Sequence, residues 1–280
     1  MTPPESPYDY DRPAPARRYD VLLGGKDNFP ADRSSAEQIR EELPSVGQAA
    51  RELRAFLHRA VNFLADDCGM RQFLDIGCGM PYTPNVHQIA QAVHPDAHVA
   101  YVDPDLLVAV HARALMFSDP LGAVSVTEGG LDDIDAVLNA PTVRELIDFD
   151  QPVAVLLLAV LHFVVDDQHA QRALAQIIDA LPPGSYLALS HVTFDPLTPE
   201  HIERLTKLAE PGAGHGPFRP RTHTEITALL GDLELLPPGL VSVVNWHPNR
   251  QPHPQITEAE AVAYGVIVRK PDRTITTNPG

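Results

Sequence analysis

Two glycines and two acids carry the strongest chemical signal in this chain. Phe73-Leu-Asp-Ile-Gly-Cys-Gly-Met-Pro81 is a short apolar run that breaks at Gly77 and Gly79, with Asp75 two residues ahead of the first glycine. Paired glycines let a chain turn sharply and bring its backbone against a ligand, although an ordinary tight strand-to-helix turn uses the same residues. The next apolar run, His98-Val-Ala-Tyr-Val-Asp103, ends in an acid 24 residues past Gly79. A carboxylate at the end of a second strand can accept hydrogen bonds from both hydroxyls of a ribose, and it disfavours a 2′-phosphate. The competing use of Asp103 is to cap a helix, for which Pro104 suits the first helical position. Together the two features predict an adenosine-type ligand. The dinucleotide pattern Gly-x-Gly-x-x-Gly fails because residue 82 is Tyr, and Pro81 and Pro84 interrupt the junction that seats a pyrophosphate.

Other side chains invite chemistry less strongly. His162 follows the apolar run Val153–Leu158, so it belongs near the carboxyl end of a strand, where it can act as a general base or simply pack. His87, His191 and His247 are weaker cases of the same choice. Tyr82 and Trp246 are candidates for walling a substrate pocket, with core packing the alternative for Trp246. Lys26, Asp27 and Asn28 follow two glycines and read either as a lid touching a ligand or as a surface turn. Thirteen histidines suggest metal binding, but no His-Glu-x-x-His and no paired Cys-x-x-Cys is present, and Asp166-Asp167 reads as a helix cap, so no metal is expected. There is no phosphate loop of the Gly-x-x-x-x-Gly-Lys type and no Gly-x-Ser-x-Gly nucleophile turn.

The elements that must position these groups alternate. Strand-like runs at 72–76, 98–102, 123–127, 153–158 and 185–190 are separated by helical stretches at 86–93, 106–117, 132–138 and 168–181. Such alternation implies parallel βαβ units with right-handed crossovers and ligands at the carboxyl ends of the strands. Helices at 198–209 and 222–230 and two late strands at 240–245 and 262–268 follow, making seven strands. Upstream, a helix-compatible stretch covers 36–43. Leu53, Phe56, Leu57, Ala60, Val61 and Leu64 then form one apolar stripe of an amphipathic helix over 46–64.

Composition bounds the partners. The 280 residues carry a formal charge of −16, which repels phosphate backbones and argues against nucleic acid. Cys68 and Cys78 are the two cysteines, too few for a disulfide scaffold and suited to a reducing, cytoplasmic setting. The start of the chain lacks a signal-peptide pattern, and the 13-residue apolar stretch at 153–165 is too short to span a membrane, which needs about 20 residues. Much of the unusually high proline content sits in a loose arm over 1–15, around 211–220, and around 248–254, while 271–280 reads as a tail.

Asp75-x-Gly77-x-Gly79 resembles the first motif of class I S-adenosylmethionine-dependent methyltransferases. A closer likeness covers about residues 15–250. Ala16-Arg-Arg-Tyr-Asp-Val-Leu-Leu-Gly-Gly-Lys-Asp-Asn-Phe-Pro-Ala-Asp32, the 73–81 turn, Asn85-Val-His87 and Leu158-Ala-Val-Leu-His-Phe163 resemble an actinobacterial family of S-adenosylmethionine-dependent methyltransferases, formerly a domain of unknown function. The resemblance implies a Rossmann-like α/β sandwich with a seven-stranded, mostly parallel sheet and an N-terminal helical cap over 16–68. The α/β domain would span 69–270, with insertions near 193–221 and 246–257. It implies S-adenosylmethionine as cofactor, S-adenosylhomocysteine as product, and a small acceptor, of the secondary-metabolite kind. Asp75, Gly77, Cys78 and Gly79 would line the methionine end. Asp103 would hold the ribose, and Pro104, Gly130, Leu131, Asp132 and Ala159 would also belong to the cofactor site. Lys26 and Asn28 would lie in a lid. The chain departs from the family pattern at Cys78, Met80 and Tyr82, where Thr, Leu and Thr are expected, at Gln88, and at Gly129-Gly-Leu-Asp132, where an acid followed by Leu-Arg is expected. Asp132 or backbone groups alone are left to bind adenine. Two other readings stay open, a binder of the cofactor without turnover and an enzyme using it for non-methyl chemistry. A homodimer also stays open, with the N-terminal arm closing over its own site or serving a neighbour.

Overall fold

The structure, a computed structural model, describes residues 9–210, 212–250 and 255–271. Its centre is a sheet of β1 (Gln72–Ile76), β2 (His98–Asp103), β3 (Ala123–Glu128), β4 (Ala154–Leu158), β5 (Tyr186–Val192), β6 (Glu234–Leu235), β7 (Val241–Ser242) and β8 (Ala263–Arg269). The strand order is β3-β2-β1-β4-β5-β8-β6, with β7 also pairing β8. The first five strands are parallel, while β8 runs antiparallel to β5, β6 and β7. Order reverses between β1 and β4, which puts a topological switch point, and therefore the expected ligand crevice, at the carboxyl ends of those two strands.

The sheet has eight strands rather than seven. The extra strand is β6, two residues that pair with the end of β8. The expected strand at 240–245 shrinks to Val241–Ser242 and continues as a 3₁₀ turn over Val243–Asn245. Pro237 and Pro238, which lack an N–H for the ladder, separate the two short pieces.

Eleven α-helices are described. They are α1 (Pro15–Leu23), α2 (Pro30–Glu42), α3 (Val46–Asp66), α4 (Val86–Val93), α5 (Leu106–Leu115), α6 (Ile134–Asn139), α7 (Pro141–Arg144), α8 (Asp167–Ala180), α9 (Pro199–Ala209), α10 (His223–Leu230) and α11 (Glu258–Ala261). The central strands are apolar on both faces because each face is covered. Phe73, Tyr101 and Leu156 pack toward α3 and α4, and Leu74, Ile76, Val102 and Leu157 toward α6 and α8. All six residues of the stripe on α3 are buried. Arg59 bolts α3 to the end of the sheet, donating to Glu52 at 2.7 Å and to the carbonyls of Trp246 and Val243 at 2.9 and 2.7 Å.

The described part of the expected loose arm, 9–15, is held. Arg17 donates to the carbonyls of Asp9 and Arg12, Asp32 accepts from the Ala14 N–H, and Pro15 already begins α1. Residues 1–8, 251–254 within the 246–257 insertion, and 272–280 of the tail lie outside the described residues, as does Pro211. Among the described residues no helix is long and apolar enough to cross a membrane, and no group of three potential ligands could hold a metal ion.

Candidate active site

The floor of the site is the turn after β1. Gly77 has φ +78 and Gly79 φ +68, a region that favours glycine. At Gly77 a Cβ would also lie 2.4 Å from a Val160 methyl, so β4's exit loop packs directly on this backbone. At Gly79 a Cβ would meet nothing within 4 Å, which leaves open space beside the backbone for a ligand. The turn is pinned to β2 by bonds from Gly77 N–H and Cys78 N–H to the Val102 carbonyl.

Asp103 is 4% exposed and accepts from the N–H of Gly79 and of Asp105, both at 2.9 Å. It is not the helix cap that its place before Pro104 allowed. Asp105 takes that role, accepting from the Leu107 N–H at the start of α5. The two bonds to Asp103 fix its orientation and leave lone pairs for further donors. Burial outweighs them and pushes its carboxyl up to about 6. Asp75, also 4% exposed, has no hydrogen-bond partner among the described residues. Burial pushes it up to about 7, against the pull of the Arg54 guanidinium. Cys78 beside them is held as a thiol by burial, far from thiolate reactivity.

The far wall is the exit of β4. Ala159 takes φ +56, an uncommon conformation for a residue with a Cβ. Its N–H is held by the Ser190 side chain at 2.9 Å and carbonyl at 3.1 Å. The 3₁₀ turn Leu161–Phe163 follows and carries His162. Arg221 clamps this turn, donating to the carbonyls of Leu161 and Val164 and to Asp167, and the Arg219 N–H donates to the His162 carbonyl. The His162 ring is 3% exposed, lines the cavity, and has no hydrogen-bond partner on Nδ1. Burial, with the nearby His191, Arg18 and Arg221, holds it well below the usual imidazole range, so the ring is neutral at physiological pH.

The roof is built by α1, α2, α3, α9 and the segment after α9. Together with the strand ends they line a cavity of about 420 Å³, within the usual range for small-molecule sites. Leu22, Leu53, Leu57, Leu205, Phe163, Phe194 and Phe218 make most of this side apolar. Arg18, Ser35 and His215 bring the polar groups. The Arg18 Nη1 donates to the Ser35 Oγ at 3.2 Å and to the His215 carbonyl at 2.7 Å, and Ser35 Oγ lies 2.8 Å from the His215 Nδ1.

The cavity gathers Asp75, Gly77, Cys78, Gly79, Asp103, Pro104, Gly130, Leu131, Asp132, Ala159 and His162 on its lining. The Asp132 side chain, 95% exposed and 3.9 Å from His169, points to solvent. The other candidates, His247 among them, lie off the lining. Asn28 is turned inward on its own loop, where the Asp20 carboxylate accepts from Asn28 Nδ2 at 2.8 Å and from the Asp27 N–H at 3.0 Å. Lys26 is exposed at the same turn. Tyr82 is 37% exposed under the Arg54 guanidinium. His87 bonds the Tyr101 hydroxyl at 2.8 Å. His191 donates from Nδ1 to the Val192 carbonyl and accepts from Arg221 at Nε2. Trp246 is fully buried between Phe56 and Phe63. Sequence reasoning missed Arg18, Ser35, His215 and Phe218. Arg18 stands inside a quoted run but reads as a surface residue, and contacts spanning up to 197 positions leave no local pattern.

The likeness to known proteins agrees with this geometry. The family model described as S-adenosyl methyltransferase matches residues 1–271. The crystal structure of a DUF574 family protein from Streptomyces avermitilis superposes with a TM-score of 0.88 at 38% identity, covering 94% of this chain and 99% of that one. A candidate methyltransferase from Thermobifida fusca gives 0.84 at 38% identity, over 97% of this chain and all of that one. An O-methyltransferase family protein from Burkholderia thailandensis, 16% identical with a TM-score of 0.50 over 85% of this chain and 63% of that one, shares the fold. A comparison with curated proteins finds no match. The Asp103 carboxylate with spare acceptors and the open space beside Gly79 fit an adenosyl ligand, and with the family match over almost its whole length the chain belongs to the S-adenosyl methyltransferase family, enzymes whose cofactor is S-adenosylmethionine.

Proposed function

We propose that this enzyme methylates a small, largely apolar acceptor held between the strand ends and the helical roof. The observation that carries the reading is a cavity of about 420 Å³ lined both by Asp103 and by His162 and Phe218. A roof contributed by α1, α2, α3 and α9 leaves room for a small molecule rather than a macromolecular surface. The charge of −16 also disfavours nucleic acid.

In this reading residues 16–68 are a cap and 69–270 the cofactor domain, with the 193–221 insertion supplying acceptor contacts. The Asp103 carboxylate accepts from the ribose hydroxyls, Asp75 faces the ammonium of the methionine end, and backbone groups of Gly130 and Leu131 take the adenine edge, since the Asp132 side chain turns away. S-adenosylmethionine supplies an electrophilic methyl on its sulfonium. The chain's own work is alignment and exclusion of water. The neutral His162 ring, unpartnered and fixed by the Arg221 clamp, accepts a hydrogen bond or a proton from the acceptor's nucleophilic group.

The test is product analysis. The purified protein is incubated with S-adenosylmethionine and a panel of small aromatic and aliphatic nucleophiles. Acceptor-dependent S-adenosylhomocysteine is expected. Methylthioadenosine as the product would point to aminocarboxypropyl transfer, and neither product from a protein that binds the cofactor would point to a binder without turnover.

A further inference from the structure

Among the described residues four arginines are buried, and three of them are neutralised. Arg59 meets Glu52 at 2.7 Å, Arg221 meets Asp167 at 2.9 Å, and Arg17 meets Asp32 at 3.2 Å. Arg18 is the exception. It is 7% exposed, and no carboxylate among the described residues lies within the 4 Å of an ion pair. The acid whose charge it feels, Asp32, is already engaged by Arg17 and by the N–H groups of Ala14 and Phe29. A guanidinium out of water is costly without a counter-ion, and the bonds Arg18 makes, to the Ser35 hydroxyl and the His215 carbonyl, use one of its three nitrogens and neutralise none of its charge.

The donors that remain point to the missing partner. Arg18 Nη1 is used by Ser35 and the His215 carbonyl. Nε and Nη2 have no partner among the described residues, and Arg18 lines the cavity. Those two nitrogens form one edge of the guanidinium, and such an edge takes a carboxylate through two parallel hydrogen bonds. The contact between Ser35 Oγ and His215 Nδ1 holds the cradle that aims Arg18. Arg18 sits on α1, on the roof, and lines the same cavity as His162, Phe163 and Phe218.

We propose that the acceptor is an apolar organic acid and that Arg18 holds its carboxylate through the Nε–Nη2 edge, leaving a second group of the acid to receive the methyl. The proposal rests on the acceptor half of the reading above and names its substrate class. The alternative owner of Arg18 is the carboxylate of the cofactor's methionine end, and the experiment separates the two.

Calorimetric titrations of the wild-type protein begin with S-adenosylhomocysteine. They then compare, on the loaded protein, three acid–amide pairs: 4-hydroxybenzoate, salicylate and 3-phenylpropanoate against the corresponding amides. At least one acid is expected to bind about tenfold or more tightly than its amide, the scale of a charge-assisted bond. Arg18→Gln should erase that preference and leave S-adenosylhomocysteine affinity within about threefold of wild type, well under the loss of one such bond, which also reports that the variant is folded. Arg18→Lys should keep part of the preference, and it carries the test together with the wild-type pairs if the Gln variant does not fold. Equal binding of acids and amides, or no acid bound at all, overturns the proposal. So does an Arg18→Gln protein of unchanged melting temperature that loses S-adenosylhomocysteine, since Arg18 then belongs to the cofactor. A wild-type protein that ignores S-adenosylhomocysteine contradicts the placing of the cofactor instead, and the acid–amide pairs are then read on the ligand-free protein.

Discussion

The two sides of the cavity are electrostatic opposites. On the floor, burial pushes two acids up, Asp75 to about 7 and Asp103 to about 6. On the roof and the far wall, burial pushes bases down, Arg18 to about 10 and His162 well below its usual range. The same cause, loss of water, acts with opposite sign on opposite charges. The floor therefore holds negative charge short of donors and cations, and the roof positive charge short of an anion. The floor is also built differently. It is backbone and turn at the ends of parallel strands, while the roof is helix faces and long-range contacts. The first is suited to the adenosyl cofactor, and in the proposed function the second holds the acceptor.

The sharpest way to break that division is at the backbone of the floor. Gly77→Ala places a methyl on Val160 and forces a side chain into φ +78. It should lower stability by about 2–3 kcal/mol and abolish measurable cofactor binding. Gly79→Ala, with the same sign of φ and free space, should cost only about 1 kcal/mol. Chemical denaturation of the two variants compares them, and equal losses would contradict the close packing of the β4 exit on the turn.

On the far wall, His162→Ala should lower turnover about 100-fold while leaving cofactor affinity unchanged. Single-turnover rates and calorimetry check the two halves of that statement. Loss of affinity with unchanged turnover would move His162 to the cofactor side.

The raised acids give a pH dependence. Their protonated forms favour the ligand-free fold below their ordinary values, and that contribution is lost as pH rises through about 6 for Asp103 and about 7 for Asp75. A ligand that offers hydroxyls and an ammonium binds the ionised forms. Affinity for S-adenosylmethionine should thus tighten about tenfold from pH 5.5 to 7.5, with proton release seen as a buffer-dependent heat of binding. A flat profile would mean that neither carboxylate meets the ligand. The smallest expected effect is on the roof: Phe218→Ala should raise the acceptor KM a few-fold, about what one lost aromatic contact costs, without altering cofactor affinity.

How much of this was legible in the sequence follows the same division. The floor was readable because it is local. A strand, two glycines and a second strand ending in an acid lie within about thirty residues, and each obeys a short-range rule. The stripe on α3 was readable for the same reason, and all six of its residues are buried. The roof was not. Arg18 meets a carbonyl 197 positions away, and Ser35 meets His215 across 180. Polarity misled at Lys26 and Asn28, where residues after two glycines look free to touch a ligand. The Asp20 carboxylate instead folds that loop onto itself. His191 and Trp246 took the packing alternative that the sequence left open, serving the Arg221 clamp and the α3 core. Gln88, a departure from the family pattern, keeps a local task, accepting from the Asn85 N–H at the start of α4.

The central claim is that floor and roof take different ligands, and one titration tests it most directly. S-adenosylhomocysteine is titrated into the wild-type protein, Asp103→Ala and Phe218→Ala. The division predicts the same affinity for wild type and Phe218→Ala, with Asp103→Ala weaker by about 10- to 100-fold, or about 1–3 kcal/mol. An Asp103→Ala protein that binds as tightly as wild type, or a Phe218→Ala protein that loses as much, would contradict it.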